Sequence, residues 1–149
     1  LSTCLLVLAV WLRQQSDITR AETLASSVAQ TKTSDLAAGL LPLQLLREYA
    51  LPTLQKLYTE SAETSEARLH LAIARLQLGD TAADLLPTAR DRALQCRPEQ
   101  LLPLTKLLQP WAAESVTQFQ GVVTDQQQPG TQRLHAACFL AAWSDSATE

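Results

Sequence analysis

The sequence predicts an all-α chain, an α-solenoid-like stack of short antiparallel helices in two related units of about 61–65 residues. Three observations predict it. First, the chain has only 4 glycines and is 46% hydrophobic. Leu, Ala and Gln, which favour helices, are plentiful, whereas Val, Ile, Tyr and Phe, which favour strands, are few. Second, the chain matches itself at a nearly fixed offset. "LLPL" occurs at Leu40–Leu43 and 61 residues later at Leu101–Leu104, Tyr49-Ala50 matches Trp111-Ala112 at 62, and Arg68-Leu69-His70 matches Arg133-Leu134-His135 at 65. Third, the period inside each copy is helical. Leu69, Ala72, Ile73 and Leu76 fall at i, i+3, i+4 and i+7, and Leu134, Ala137, Cys138 and Ala141 occupy the same places, which predicts one apolar face of a helix in each unit.

The elements follow in chain order. Leu1–Leu12 carries no charge. Its length of ~18 Å as a helix is short of the ~30 Å hydrocarbon core of a bilayer. The run reads as the C-terminal part of a transmembrane helix, with Trp11 in the interfacial belt and Arg13 beyond it. The alternatives are an ordinary buried helix or a signal-peptide core. Residues 13–18 continue it as a juxtamembrane segment. Unit 1 spans 19–78, unit 2 spans 80–143, and 144–149 form a linker.

Within unit 1 the polar stretch Glu60–Glu66 reads as a loop before the helix that carries Arg68–Leu76. Gly79 suits a C-terminal cap, and Asp80 suits the N-cap of a helix from Thr81 to about Gln95. In unit 2 Pro98 suits a first helical turn. Pro103, like Pro42 in unit 1, predicts a break into two short turns, while Pro52 and Pro110 fall near predicted helix starts. "DQQQPG" at Asp125–Gly130 reads as a turn before the last helix.

The composition excludes some classes of function. Twelve Lys and Arg against 15 Asp and Glu give a net charge of −3, without the basic balance a nucleic-acid binder needs. Cys4, Cys96 and Cys138 are odd in number and widely spaced, so they read as small apolar residues rather than a disulfide framework. No GxSxG, HExxH, P-loop or GxGxxG motif is present.

The two histidines are the candidate chemistry. Cys138 follows His135 by three residues, which supplies half of a metal site, but a closed site needs four ligands and no second pair accompanies it. Cys138 also occupies the place of Ile73, an apolar position. Arg68, Leu69, His70, Ala72 and Arg133, Leu134, His135, Ala137 therefore read as a structural signature. Arg and His flank the apolar stripe, where they can reach a carbonyl of a neighbouring helix or loop. Glu66 and His70 read as a surface pair. Tyr49 and Trp111 share one place in both units and read as core anchors or, alternatively, as contacts for a partner. No cofactor is expected.

From the apolar run through "LLPLQLLREYALPTLQKLY", "ARLHLAIARLQLGD", "RPEQLLPLTKLLQPWAAESVTQF" and "QRLHAACFLAAWSD", the chain resembles the helical region after the membrane span of certain bacterial membrane-anchored serine/threonine protein kinases. The resemblance runs from Leu1 to about Asp145 and rests on apolar spacing around Arg68–Leu76 and Arg133–Trp143. The family's Asp-Pro after its aromatic residue is replaced here by Ser144-Asp145. The resemblance implies a kinase domain before the span, HEAT-like helices after it and, in many members, a following formylglycine-generating (sulfatase-modifying-factor) domain. The HRD, DFG and Gly-rich kinase motifs are absent from this stretch. The implied role is thus a non-catalytic, extracytoplasmic scaffold, spacer or sensor region that binds protein or peptide through a helix surface, with the membrane held by the N-terminal apolar segment. Two other readings stay open. One is a soluble repeat adaptor with no kinase link, with Leu1–Leu12 as its first core helix. The other is an enzyme with a site around His70 and His135.

Overall fold

The computed structural model describes the backbone of residues 2–145 and the side chains of residues 6–144. Among the described residues there are eight α-helices and no strand. They are α1 (Ser2–Gln30), α2 (Leu36–Leu45), α3 (Arg47–Glu60), α4 (Glu66–Gln77), α5 (Leu85–Leu94), α6 (Pro98–Leu108), α7 (Ala112–Thr124) and α8 (Gly130–Asp145). Single 3-10 turns at Thr33–Asp35 and Gln109–Trp111 lead into α2 and α7. Two compact units divide the chain, Leu1–Thr81 and Ala82–Glu149, so each holds four α-helices.

Unit 1 is organised around α4, which packs against α1, α2 and α3. Every residue from Leu69 to Leu76 is buried, His70 and Arg75 included. α1 contributes Ala21, Ala25 and Val28 at i, i+4 and i+7, all buried. The small alanines let α1 approach α3 and α4 closely. Ser65 caps α4, its hydroxyl accepting from the Arg68 amide at 3.2 Å. At the other end Gly79 takes φ +79, its N–H donates to Leu76 O and the Asp80 N–H donates to Arg75 O, each at 2.9 Å. That is the Schellman closure, and it needs a residue tolerant of positive φ. A Cβ on residue 79 would stand 3.0 Å from the Arg47 Nη2.

Unit 2 has a different core. Phe119, Phe139 and Trp143 pack ring to ring, with centroids 5.2–5.4 Å apart. The Trp143 indole N–H donates to Thr105 O at 3.0 Å. Arg90 on α5 reaches across to α7, donating to Ser115 Oγ, Gln118 Oε1 and Glu114 O.

Three expectations are corrected. The helix after Gly79 begins at Leu85 rather than Thr81, because Asp80 is drawn away into a 2.7 Å ion pair with Arg75, both side chains being largely buried. Pro42 and Pro103 do not divide their helices, which continue through them. Leu41 and Leu102, just before the prolines, are exposed, but Leu40 and Leu43 in α2 and Leu104 in α6 are buried, and that burial offsets the missing hydrogen bond. On α8 the expected core face is turned away from the core: Leu134, Ala137 and Ala141 are exposed and Cys138 is half-buried. Leu134 is 62% exposed, while His135, Ala136, Phe139 and Trp143 are buried. Two aromatic rings bury more apolar area than the small residues of the expected stripe, so they set the rotation of the helix.

α1 runs without a break from the apolar stretch through residues 13–18 into unit 1, across the expected boundaries at 12/13 and 18/19. Leu6, Val7, Leu8, Val10, Trp11 and Leu12 are all more than half exposed. No helix among the described residues is long and apolar enough to cross a membrane. The Cys4 side chain and residues 146–149 of the expected linker lie outside the described residues.

Candidate functional site: the paired Arg-Leu-His clamps

Arg-Leu-His does the same local work in both units, through main-chain acceptors. In unit 1 the Arg68 Nη1 donates to Tyr58 O at 2.8 Å and to Ser61 O at 3.0 Å. In unit 2 the Arg133 Nε donates to Val123 O at 3.2 Å. In each case the acceptor ten residues upstream lies at the C-terminal end of the preceding helix, α3 or α7. The last carbonyls of a helix lack the usual i+4 donor, and the Tyr58 carbonyl accepts from Ser61, N–H and hydroxyl, as well as from Arg68; a cation there also suits the helix dipole.

The histidines reach further back. His135 Nδ1 lies 2.9 Å from Leu94 O, the last residue of α5, so the proton sits on Nδ1 and donates to that carbonyl. His70 turns toward the carbonyl of Val28, in the last turn of α1, although its Nδ1 completes no hydrogen bond. Its Nε2 lies 2.9 Å from the Thr33 Oγ1. Glu66 Oε1 stands 3.2 Å from that hydroxyl and 3.6 Å from Nε2. The two imidazoles thus turn to the C-terminal end of the first helix of their own unit, and the two guanidiniums to the C-terminal end of the third.

Burial limits what chemistry these groups can do. His70 is 1% exposed and Thr33 3%, and Thr33 and Glu66 both stand at the same imidazole nitrogen, Nε2, with the hydroxyl donating to the carboxylate, so the three do not form a nucleophile–base–carboxylate relay, which needs the carboxylate on the other ring nitrogen. Glu66/His70 is therefore not the expected surface pair, because only the carboxylate faces solvent. Desolvation pushes the His70 pKa down, opposed by the Glu66 charge and the Val28 carbonyl. Among the described residues no cluster of three or more His, Cys, Asp or Glu side chains could hold a metal ion. Burial raises the Cys96 thiol to about 11, so it is protonated and a poor nucleophile at neutral pH.

The other signature positions diverge. Leu69 and Ala72 are buried, but their counterparts Leu134 and Ala137 are exposed. Tyr49 and Trp111 are both half-buried at the start of the third helical segment of each unit. The sequence reading missed Tyr58, which is buried and held between two guanidiniums, Arg68 at 4.0 Å and Arg75 at 4.9 Å from the ring centroid. The seven-residue spacing of Arg68 and Arg75 puts them on one helix face, and that was the available signal. Thr33 carried none.

No family model, curated protein or solved structure matches this chain.

Proposed function

We propose that this chain is the non-catalytic helical scaffold or interaction region of a membrane-anchored serine/threonine protein kinase, built as a HEAT-like stack and placed outside the cytoplasm. One observation carries the non-catalytic part. The side chains able to do chemistry, Arg68, His70, Arg133 and His135, face main-chain carbonyls of their own unit. Apolar side chains face outward instead, and the equivalent leucines Leu41 and Leu102 are each 64% exposed. Such a surface suits contact with protein or peptide better than turnover.

The membrane part is supported by the pattern of exposure on α1. At ~100° per residue, the exposed positions 6–12, Ala9 among them, sample every side of the helix. A helix that docks in a groove leaves one stripe apolar; one apolar on all sides suits lipid. The kinase link rests on the resemblance alone. Sequencing the native reading frame on both sides of this stretch tests it. Kinase motifs upstream, with the rest of an apolar span, support the proposal. A start codon just before Leu1 with no kinase leaves a helical-repeat adaptor.

A further inference from the structure

The membrane reading fixes which end of unit 1 faces the bilayer, and a surface lies at that end. α4 starts beside the C-terminal end of α1, where Glu66 and His70 meet Thr33 and His70 turns to Val28. It therefore runs back along α1 toward the apolar stretch. Gln44 and Arg47, at the junction of α2 and α3, line one hollow with Gln77, Leu78 and Gly79 at the far end of α4. The α2–α3 corner thus sits at the same end of unit 1 as the exposed apolar turns of α1. Leu45, at this corner, is 90% exposed, and Leu41, one turn earlier on α2, is 64% exposed. Arg47 is also exposed, and its guanidinium lies over Gly79.

We propose that the α2–α3 corner of unit 1, through Leu45 and Arg47, rests on the phospholipid headgroups of the membrane that holds α1. The inference rests on the membrane reading. With His70 level with Val28, Gln77 stands level with about Ala21, nine residues beyond Leu12 and so ~13 Å from the apolar edge at ~1.5 Å per residue. The headgroup layer fills ~5–7 Å of that gap. Transmembrane helices tilt by ~20° on average, which lowers a point ~10–15 Å off the axis by a further ~3–5 Å. The remaining few ångströms are within side-chain reach. Leu45 then meets the headgroup layer rather than the hydrocarbon, and Arg47 offers its fork to a phosphate. Glu48 next to Arg47, with Asp17 and Glu22 on α1, offsets Arg13 and Arg20. The contact is accordingly with the phosphate of a zwitterionic lipid and does not need a negatively charged surface.

The test uses the full chain in phosphatidylcholine vesicles, with an environment-sensitive fluorescent amino acid at position 8, 45 or 62. Ala62 is exposed in the loop after α3, at the opposite end of unit 1. Position 8 should be quenched by nitroxides on the acyl chains. Position 45 should be quenched at least twofold more than position 62 by nitroxides on the headgroup. Arg47→Glu should bring position 45 down to the level of 62 and leave position 8 unchanged. If position 8 is quenched but 45 behaves like 62, the corner contact is wrong and the membrane reading stands. If position 8 is not quenched, the membrane reading fails and takes the corner contact with it.

Discussion

At the residue scale, His70 and His135 show how one tripeptide serves two surroundings. Both rings turn to a helix-end carbonyl, but His70 also meets Thr33 and, more distantly, Glu66. Burial holds the His70 pKa below its ordinary value, so the folded chain binds fewer protons than the unfolded chain between the folded pKa and ~6.5. The stability that follows is fully present above ~6.5 and is lost as the pH falls through the folded pKa. Denaturant midpoints from pH 7.5 down to 5 should fall for the native chain. His70→Gln should flatten that slope, with a lower midpoint at pH 7.5 because the hydrogen bond to Thr33 is weakened. An unchanged slope in the variant would mean that another group titrates with folding.

At the element scale, helical periodicity gave the existence and order of the helices but not the rotation of each one. Arg68–Leu76 and Arg133–Ala141 carry the same apolar spacing, yet the stripe is buried on α4 and, apart from the half-buried Cys138, exposed on α8. The spacing left Phe139 and Trp143 out of the face, and their ring area outweighs that of Leu134 and three small side chains. Phe139→Ala should cost about 3–5 kcal/mol, whereas Leu134→Gln should stay within about 0.5 kcal/mol. Chemical denaturation of the two variants checks this, and a large loss for Leu134→Gln would return that residue to the core. Proline misled in the same way. Pro42, Pro52 and Pro103 all lie inside helices, because local punctuation yields where leucines within two residues after the proline, Leu43, Leu54 and Leu104, gain enough from burial. The Gly79 closure was legible, since positive φ leaves glycine few rivals.

At the scale of the whole molecule, the all-α class followed from composition and period, and the internal matches at 61–65 residues drew attention to the Arg-Leu-His pairs. Their acceptors were not legible. Thr33, Val28 and Leu94 lie about forty residues from the histidines they meet, and no short-range pattern reports a contact of that separation. What the two units share is that Arg68, His70, Arg133 and His135 are spent on holding helices together, while exposed apolar side chains are a distinctive outward feature. These lie on all sides of α1 before Arg13, and at Leu41, Leu45, Leu102 and Leu134 elsewhere. The central claim is that the first of these surfaces belongs in lipid. Flotation of the whole chain with phosphatidylcholine vesicles tests it most directly, beside a variant carrying Leu8→Glu and Trp11→Glu, both positions more than half exposed. The account predicts that the native chain rises with the vesicles and the variant stays in the buffer with the same helical circular dichroism. A native chain that stays behind as a soluble monomer would contradict it.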